Sequence, residues 1–228
     1  PYIKNIMKFI KKRNEISLIT EFIKIFKKES AKKRVQGGRL SFVLTGGSSP
    51  KKLYQKLASS GINWKNIDLF WGDERFVSKK SINSNYRLVY ENLLKKIKIN
   101  NENIYPFITD KSKIEKTVTE YQKSIRRYFK KRKISFDIFL LGMGNDGHVA
   151  SIFPKSKEIK RKFIVSYVNK KDFKRITLGM NIINNSKNIF LWLNTKNKTK
   201  IFERLRKKDK SIPVNNLKKK KLICYIIN

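Results

Sequence analysis

The chain has 228 residues, enough for one α/β domain with a sizeable core that needs no disulfide or metal to hold it together. Its single cysteine excludes an internal disulfide and no apolar run approaches the roughly 18 to 20 residues of a membrane span, so we expect a soluble, cytoplasmic protein folded as one domain over residues 1–228. The 55 Lys and Arg residues against 17 Asp and Glu give a formal net charge of +38, and such a field attracts anionic ligands.

The first half of the chain alternates between helix and strand patterns. Apolar spacing predicts an amphipathic helix over 14–36, and the apolar runs "RLSFVLT" and "IDLFW" predict buried strands. Between these strands, "GGSSPKKLYQKLASSG" predicts a glycine turn and a helix, with Ser49 as the N-cap and Pro50 as the first helical residue. After the polar loop "GDERFVSKKSINSN", the pattern predicts a helix that includes Tyr86, a brief strand at "NIYPF" and a helix over 112–131.

The second half of the chain supplies five more strand patterns. "FDIFLLG" is continuous and apolar, as parallel strands covered on both faces are. The other candidates are "KFIVSYV", "KRITLGM", "NIFLWLN" and "KLICYII", with a predicted helix over 195–207 before the last. Strands that alternate with helices form mostly parallel sheets through right-handed crossovers. We therefore predict an α/β fold, a doubly wound and mostly parallel sheet with helices on both faces.

The turn "TGGSSP" between the first buried strand and its helix is a candidate anion site. Backbone amides at a helix N-terminus are unpaired and point outward, and Gly46 and Gly47 let a ligand approach the backbone closely. Ser48 adds a hydroxyl donor. The alternative is a structural turn, since any strand-to-helix turn favours glycine and serine.

The segment "WGDERFV" places charged side chains directly after the second buried strand. Ligands bind to α/β sheets at the carboxyl ends of the strands, which is where Asp73, Glu74 and Arg75 are expected. The alternative interpretation is an exposed turn whose charges neutralise one another.

The loop "GMGNDGH" follows a third strand and contains His148, the only histidine of the chain. Its position predicts that His148 lies at the same edge of the sheet as the other two motifs. Asp146 is close enough in sequence to orient the imidazole ring if the loop folds back. One histidine and one cysteine are too few for a conventional zinc site, so we predict no metal and no other cofactor.

Four segments taken together resemble the 6-phosphogluconolactonase family. They are "FVLTGGSSPKKLYQKLA", "WGDERFV" with "SNYRLVYENLL", "FDIFLLGMGNDGHVASIFP" and "RITLGMNIINNSKNIFLWL", in the family's order and across most of the chain. The resemblance implies the fold of the glucosamine-6-phosphate deaminase and ribose-5-phosphate isomerase group. It also implies hydrolysis of 6-phosphoglucono-δ-lactone, a step of the pentose phosphate pathway.

The chemistry of lactone hydrolysis suggests roles for four residues, and the resemblance adds the phosphate ligands. His148 would take a proton from water, Asp146 would orient His148, Arg75 would stabilise the oxyanion or grip the phosphate, and Asp73 would order Arg75 or the sugar hydroxyls. The implied phosphate ligands are Gly46, Gly47, Ser48, Arg175 and Lys198. The chain departs from the family's usual residues at four positions, none of which removes a catalytic group: Thr45, Ser78, Asn145 and Thr195.

Two alternative functions remain open at this point. Glucosamine-6-phosphate deaminases share the glycine turn and the Asp-Gly-His loop, but they resemble this chain less at Arg75, where they have tyrosine, and at Phe153, where they have glutamate. A basic nucleic-acid-binding protein is the other alternative, although the cations are spread along the chain rather than confined to one face. We expect a sugar-phosphate substrate, no specific nucleic-acid partner, no membrane association, and a monomer or weak homodimer.

Overall fold

The computed structural model describes residues 7–12, 14–110, 113–130, 132–195, 198–218 and 221–227. Within these ranges no helix is long and apolar enough to cross a membrane. The strands are β1 (Lys8–Lys11), β2 (Leu40–Leu44), β3 (Ile67–Trp71), β4 (Asp73–Arg75), β5 (Ile104–Tyr105), β6 (Ile138–Leu141), β7 (Val165–Asn169), β8 (Lys174–Leu178), β9 (Asn188–Asn194) and β10 (Leu222–Ile227). The helices are α1 (Glu15–Val35), α2 (Lys51–Ala58), α3 (Asn85–Asn92), α4 (Ile114–Tyr128), α5 (Met180–Asn185) and α6 (Thr199–Arg206).

Seven strands form one parallel sheet in the order β1-β10-β9-β6-β2-β3-β5. The predicted mostly parallel, doubly wound α/β fold is therefore confirmed. The chain runs outward from β2 through β3 to β5 and then returns to β6 on the other side of β2. This reversal makes a topological switch point between β2 and β6, where ligands bind in open α/β sheets.

Helices cover both faces of the parallel sheet through aromatic contacts. On one face Phe26 of α1 packs edge-on against Phe42 of β2, with ring centroids 5.0 Å apart. On the other face Tyr128 of α4 packs against Phe70 of β3, also at 5.0 Å. Such pairs contribute about 0.5–1.5 kcal/mol each beyond the area that they bury. The central strands are buried throughout, and Cys224, in the apolar run of β10, is a buried free thiol.

A second, antiparallel sheet has the order β4-β8-β7 and lies next to the carboxyl end of β3. The sequence predicted β7 and β8 as strands, but not that they form a hairpin outside the parallel sheet. It also placed β4 in a polar loop, and this was wrong. Three charged residues give no apolar periodicity, because β4 is set by pairing with β8 and not by local pattern.

The first strand and the start of α2 also differ from expectation. The sequence gave no signal for β1, an edge strand in which only Ile10 is buried. In α2 the predicted N-cap Ser49 makes no capping hydrogen bond, and the residue before the helix is Pro50, with a helical backbone. The turn instead closes from the Lys51 amide to the Ser48 carbonyl at 3.3 Å, and the hydroxyls of Ser48 and Ser49 make no hydrogen bond to any residue that the structure describes.

The described parts of the remaining helices are slightly shorter than predicted. The predicted helix over 112–131 is Ile114–Tyr128, and the one over 195–207 is Thr199–Arg206. Residues 112, 131, 196 and 197 of these predictions lie outside the described residues.

Two buried tyrosines fix the backbone where β2 and β3 end. The Tyr54 hydroxyl, from α2, accepts from the Thr45 amide at 2.9 Å and donates to the Thr45 carbonyl at 2.7 Å. The Tyr121 hydroxyl, from α4, makes the same pair of bonds to Trp71, both at 2.9 Å. Each tyrosine satisfies both backbone polar groups of one residue, the N–H and the C=O, so the loops that follow begin from defined positions.

Candidate active site

The glycine turn after β2 leaves a run of backbone amides unpaired at the start of α2. The backbone amides from Gly46 to Ser49 donate no hydrogen bond to any residue that the structure describes, and neither do the hydroxyls of Ser48 and Ser49. Gly47 has φ +87°, a conformation that an L side chain rarely adopts. A Cβ on Gly46 would lie 1.9 Å from Oδ1 of Asn85, so only glycine fits there. Unpaired amides are general at helix N-termini, and here two glycines leave them open to an anionic ligand.

The loops after β2 and β6 meet at the switch point. The Gly142 amide donates to the Thr45 hydroxyl at 3.3 Å, which joins the start of the histidine loop to the start of the glycine turn. Thr45, one of the departures from the family's usual residues, therefore supplies the hydroxyl that links the two loops. The predicted convergence of these motifs is present in the structure.

Asp73 is a buried carboxylate at the centre of the site. Its Oδ2 accepts from the Ser151 hydroxyl at 2.8 Å, and its backbone carbonyl accepts from Nδ2 of Asn85 at 2.9 Å. Burial raises the pKa of Asp73, while the Ser151 hydrogen bond and the positive charges of Arg75, His148 and Arg175 act to lower it. An ionised Asp73 can hold cationic groups around it in the cleft.

Arg75 and Arg175 bring two guanidinium groups to the same cleft. Arg75 Nη1 donates to the Asn83 carbonyl at 2.8 Å, and its Nε and Nη2 have no acceptor among the described residues. Arg175 Nη2 donates to Asp172, while its Nε is buried without a partner. The side chain of Arg175 is only 12% exposed. Buried guanidinium donors without acceptors are suited to a multivalent anion such as a phosphate.

Glu74 points away from this cleft and ties α3 to β4. Its carboxylate accepts from the amides of Asn85 at 2.7 Å and Tyr86 at 2.8 Å, and from the Ser84 hydroxyl at 3.3 Å. Burial raises the pKa of Glu74 to about 7, although these hydrogen bonds oppose the shift. Because Asn85 begins α3, this anchor sets the position of Asn85 against Gly46 and Asp73.

The histidine loop folds back, which is the condition under which Asp146 can orient the imidazole ring. His148 Nδ1 lies 2.6 Å from Asp146 Oδ1, which also accepts from the His148 amide at 3.1 Å. Partial burial acts to raise the pKa of Asp146, but the hydrogen bonds and charge of His148 hold it at about 2. An ionised Asp146 favours the tautomer with the proton on Nδ1, because that nitrogen then donates to the carboxylate. Nε2 is left with a lone pair.

A glycine in this loop makes room for the imidazole. A Cβ on Gly144 would lie 2.1 Å from the His148 ring, and the Gly144 amide donates to the His148 carbonyl at 3.0 Å. The ring therefore sits directly over the Gly144 backbone. The side chain of His148 keeps 27% exposure, so a water molecule can reach it.

Lys198 comes from the N-terminal end of α6 and completes the cleft. Its Nζ donates to the Met143 carbonyl in the histidine loop. Desolvation lowers the pKa of Lys198, and the negative charge of Asp146 opposes this shift. Thr195, which stands where the family tends to have glycine, does not prevent Lys198 from lining the cleft.

Eight of the nine residues predicted for the site line one cleft, and the ninth lies behind it. The eight are Gly46, Gly47, Ser48, Asp73, Arg75, His148, Arg175 and Lys198. Asp146 is not a lining residue and reaches the cleft through His148. Among the described residues, no three His, Cys, Asp or Glu side chains are grouped as they would be to hold a metal ion.

Sequence reasoning missed several residues that shape this site. Asn85 lines the cleft and contacts Gly46, Asp73 and Arg75, but it was noted only as part of the family resemblance. Ser151, the partner of Asp73, gave no signal because it lies 78 residues away in the chain. The ring of Phe153, whose centroid is 4.7 Å from that of His148, was assigned no contact.

Comparisons with known proteins agree with this geometry. The family model described as glucosamine-6-phosphate isomerases/6-phosphogluconolactonase matches residues 13–224. A 6-phosphogluconolactonase of Synechocystis sp. is 33% identical over 156 residues, which are 67% of this chain and 65% of that protein, so the chain spans less than two thirds of that relative's length.

Two solved structures have the same fold. The 6-phosphogluconolactonase of Thermotoga maritima superposes with a TM-score of 0.86 at 27% identity, over 97% of this chain and 99% of that one. A monomeric glucosamine-6-phosphate deaminase gives a TM-score of 0.82 at 19% identity over 97% of both chains, a likeness of fold alone. The chain belongs to the glucosamine-6-phosphate isomerase/6-phosphogluconolactonase family.

Proposed function

We propose that the protein hydrolyses 6-phospho-D-glucono-1,5-lactone to 6-phospho-D-gluconate, the second step of the oxidative pentose phosphate pathway. The observation that carries this proposal is the pairing of His148 with Asp146 in one cleft with unpaired turn amides and two arginines. A general base and an anion seat are the two features that hydrolysis of a phosphorylated lactone requires.

His148 acts as the general base. Its Nδ1 proton is held by Asp146, and Nε2 takes a proton from a water molecule as the water oxygen attacks the lactone carbonyl. The tetrahedral intermediate then collapses with cleavage of the bond between the carbonyl carbon and the ring oxygen. The proton on Nε2 passes to that oxygen, which gives the open-chain acid. General-base assistance of this kind contributes about 10²- to 10⁴-fold.

The phosphate is held at the far end of the substrate. The amides of the glycine turn, the Ser48 hydroxyl, Arg175 and Lys198 are its proposed ligands, supported by their unpaired donors in the cleft. Binding energy from this remote group fixes the lactone ring next to His148. Arg75 adds positive charge for the oxyanion or for the phosphate, and Asp73 holds Arg75 in place by charge.

Phe153 favours the lactonase over the deaminase. The resemblance places a glutamate of the deaminases at this position, where it serves ring-opening chemistry. Here an apolar ring packs against the imidazole instead, so no carboxylate is available at that point. Arg75, where the deaminases have tyrosine, supports the same choice.

We also propose that the protein is a single domain over residues 1–228 and acts in the cytoplasm as a monomer or weak homodimer. One contiguous hydrophobic core and the absence of any disulfide among the described residues support these proposals.

The test is to add the protein to freshly made 6-phosphogluconolactone and to follow acid release against the spontaneous rate. We expect acceleration that survives EDTA, with His148→Ala protein from the same preparation as the control. A wild-type rate equal to the spontaneous rate would contradict the proposal. Activity that EDTA removes and a divalent ion restores would contradict the metal-free mechanism.

A further inference from the structure

Phe153 connects the loop of the general base to the hairpin that carries Arg175. It follows His148 by five residues and is 7% exposed. Its ring centroid lies 4.7 Å from that of His148, with the ring planes tilted by 42°. The guanidinium carbon of Arg175 lies 5.7 Å from the Phe153 centroid. One side chain thus contacts both the proposed base and a proposed phosphate ligand.

A tight reversal of the chain brings Phe153 back to His148. Val149 and Ile152 form an isolated antiparallel bridge, with amide-to-carbonyl distances of 3.3 and 3.0 Å. Ala150 within this reversal has φ +49°, which is uncommon for a residue with a side chain. Strain of this kind persists where the surroundings determine it, and it clusters at functional sites.

Two cationic side chains lie against the ring of Phe153. Besides Arg175, the Nζ of Lys170 lies 4.3 Å from the Phe153 centroid. The face of an aromatic ring carries negative charge density and attracts cations at such distances. An aliphatic side chain would fill the same space but would not attract the two cations. The proton that His148 takes up during the reaction makes its imidazole a third cation next to the ring.

We propose that Phe153 is a positioning residue that holds His148 and Arg175 in a fixed relation, so that binding of the phosphate places the lactone carbonyl at the base. This inference rests on the proposed lactonase function. The side chain of Phe153 makes no hydrogen bond in the site, and in the proposed mechanism it contacts neither the water molecule nor the phosphate. Its role is therefore separate from those of the base and the phosphate ligands.

The test compares variants that keep or remove the ring. Phe153→Leu and Phe153→Met keep an apolar side chain of similar volume and remove the aromatic face, whereas Phe153→Tyr keeps it. Phe163→Leu is the matched control, because the ring of Phe163 also carries a cation, Arg161 at 5.6 Å, but makes no contact with His148 or Arg175 like those of Phe153. Urea unfolding of each variant verifies that it is folded before kinetics are compared.

The expected result is a change in the kinetic constants for the phosphorylated lactone, with no change in KM for the unphosphorylated one. The apolar variants should lower kcat and raise KM for the phosphorylated lactone, each by about three- to thirty-fold, the range that loss of a cation–π contact implies. Their KM for unphosphorylated gluconolactone should stay the same, since Arg175 has nothing to bind there. Phe153→Tyr should stay within about threefold of the wild type. Equal losses in the Leu and Tyr variants, or no loss in either, would overturn the proposal.

A spectroscopic readout separates this inference from the proposed function. His148 is the only histidine, so its imidazole C–H resonances in a proton NMR spectrum have a unique assignment. The ring current of Phe153 should displace them, and Phe153→Leu but not Phe163→Leu should remove that displacement. Phe153→Leu should also weaken binding of inorganic phosphate, the probe for Arg175. Both results test the positioning role of Phe153 even if the wild type fails to hydrolyse the lactone. Unchanged resonances together with unchanged phosphate binding would contradict that role.

Discussion

Arg75 and Arg175 lie directly opposite each other on the antiparallel strands β4 and β8, and both line the cleft. Like charges in this position repel, and an isolated strand pair would be destabilised by them. The buried carboxylate of Asp73 attracts both guanidinium groups, and Asp172 outside the cleft lining pairs with Arg175. The lining itself holds three cations, Arg75, Arg175 and Lys198, against the one carboxylate of Asp73. A bound anion would neutralise this excess of positive charge, so ligand binding and stability are coupled.

Phosphate should raise the melting temperature of the protein for this reason. A ligand at about 100 times its Kd adds about 2.7 kcal/mol to the free energy of unfolding, which for a chain of this size raises Tm by several degrees. Arg175→Ala should remove most of that increase. Differential scanning fluorimetry with sodium phosphate, against sodium chloride at matched ionic strength, measures the effect, and an equal rise in both proteins would show that phosphate binds elsewhere.

His148→Ala should lower kcat by about 100-fold or more and leave the fold intact, because it removes the general base. Asp146→Asn should lower kcat by a smaller factor. Its amide can present an N–H to Nδ1, which favours the wrong tautomer and puts the proton on Nε2. Kinetics with the phosphorylated lactone and circular dichroism on each variant provide the check. A folded His148→Ala protein with near-normal turnover would mean that the histidine is structural.

The parts of this site that could be predicted are those with local signals. Continuous apolar runs marked β2, β3 and β6, and a glycine turn or charged segment directly after each strand marked the edge where ligands bind. Asp146 and His148 are two residues apart, so their contact was a reasonable expectation. The contact between the Glu74 carboxylate and the start of α3 spans only 11 residues. It was not predicted, because the strand that carries Glu74, β4, was not predicted.

Contacts between distant segments could not be predicted in the same way. Arg75 and Arg175 are 100 residues apart, and their juxtaposition depends on the β4–β8 pairing. The three charged residues of β4 carry no sequence pattern from which that pairing could be predicted. Arg175 entered the prediction only through the family resemblance. Ser49 shows the reverse case: local preference predicted a helix cap, but its hydroxyl makes no capping bond and lies in the lining of the cleft.

Glu74 should make the stability of the protein depend on pH between about 4.5 and 7. Burial raises its pKa from the ordinary 4.5 to about 7. Its contribution to stability is thus fully present below about pH 4.5 and is lost as the pH rises to about 7, by up to about 3 kcal/mol. Glu74→Gln cannot titrate, so the free energy of unfolding in urea should fall less over this interval in the variant. Parallel curves for the two proteins would contradict the raised pKa.

Gly46→Ala should damage the site more than the fold. The added Cβ would lie 1.9 Å from Asn85 Oδ1, so Asn85 must move and lose its bonds to Asp73 and Arg75. We expect kcat/KM to fall by at least about tenfold, a loss of about 1.4 kcal/mol in transition-state binding. Gly61→Ala is the control: its φ of +67° makes alanine strained, yet nothing lies within 4 Å and the residue is outside the cleft. It should lower stability and leave kcat/KM unchanged, and equal kinetic losses in both variants would contradict the role of Asn85.

Arg175→Ala should separate phosphate recognition from chemistry. If Arg175 holds the 6-phosphate, unphosphorylated gluconolactone should be a poor substrate for the wild type, because it lacks the group whose binding energy positions the ring. The substitution should then lower kcat/KM for the phosphorylated lactone by about 10- to 100-fold, since a buried, charge-assisted contact is lost, and should hardly change it for the plain lactone. Measuring kcat/KM for both lactones with both proteins closes a thermodynamic cycle. Losses of equal size on the two substrates would show that Arg175 serves the reaction or the fold, because only a phosphate ligand can distinguish substrates that differ in the phosphate alone.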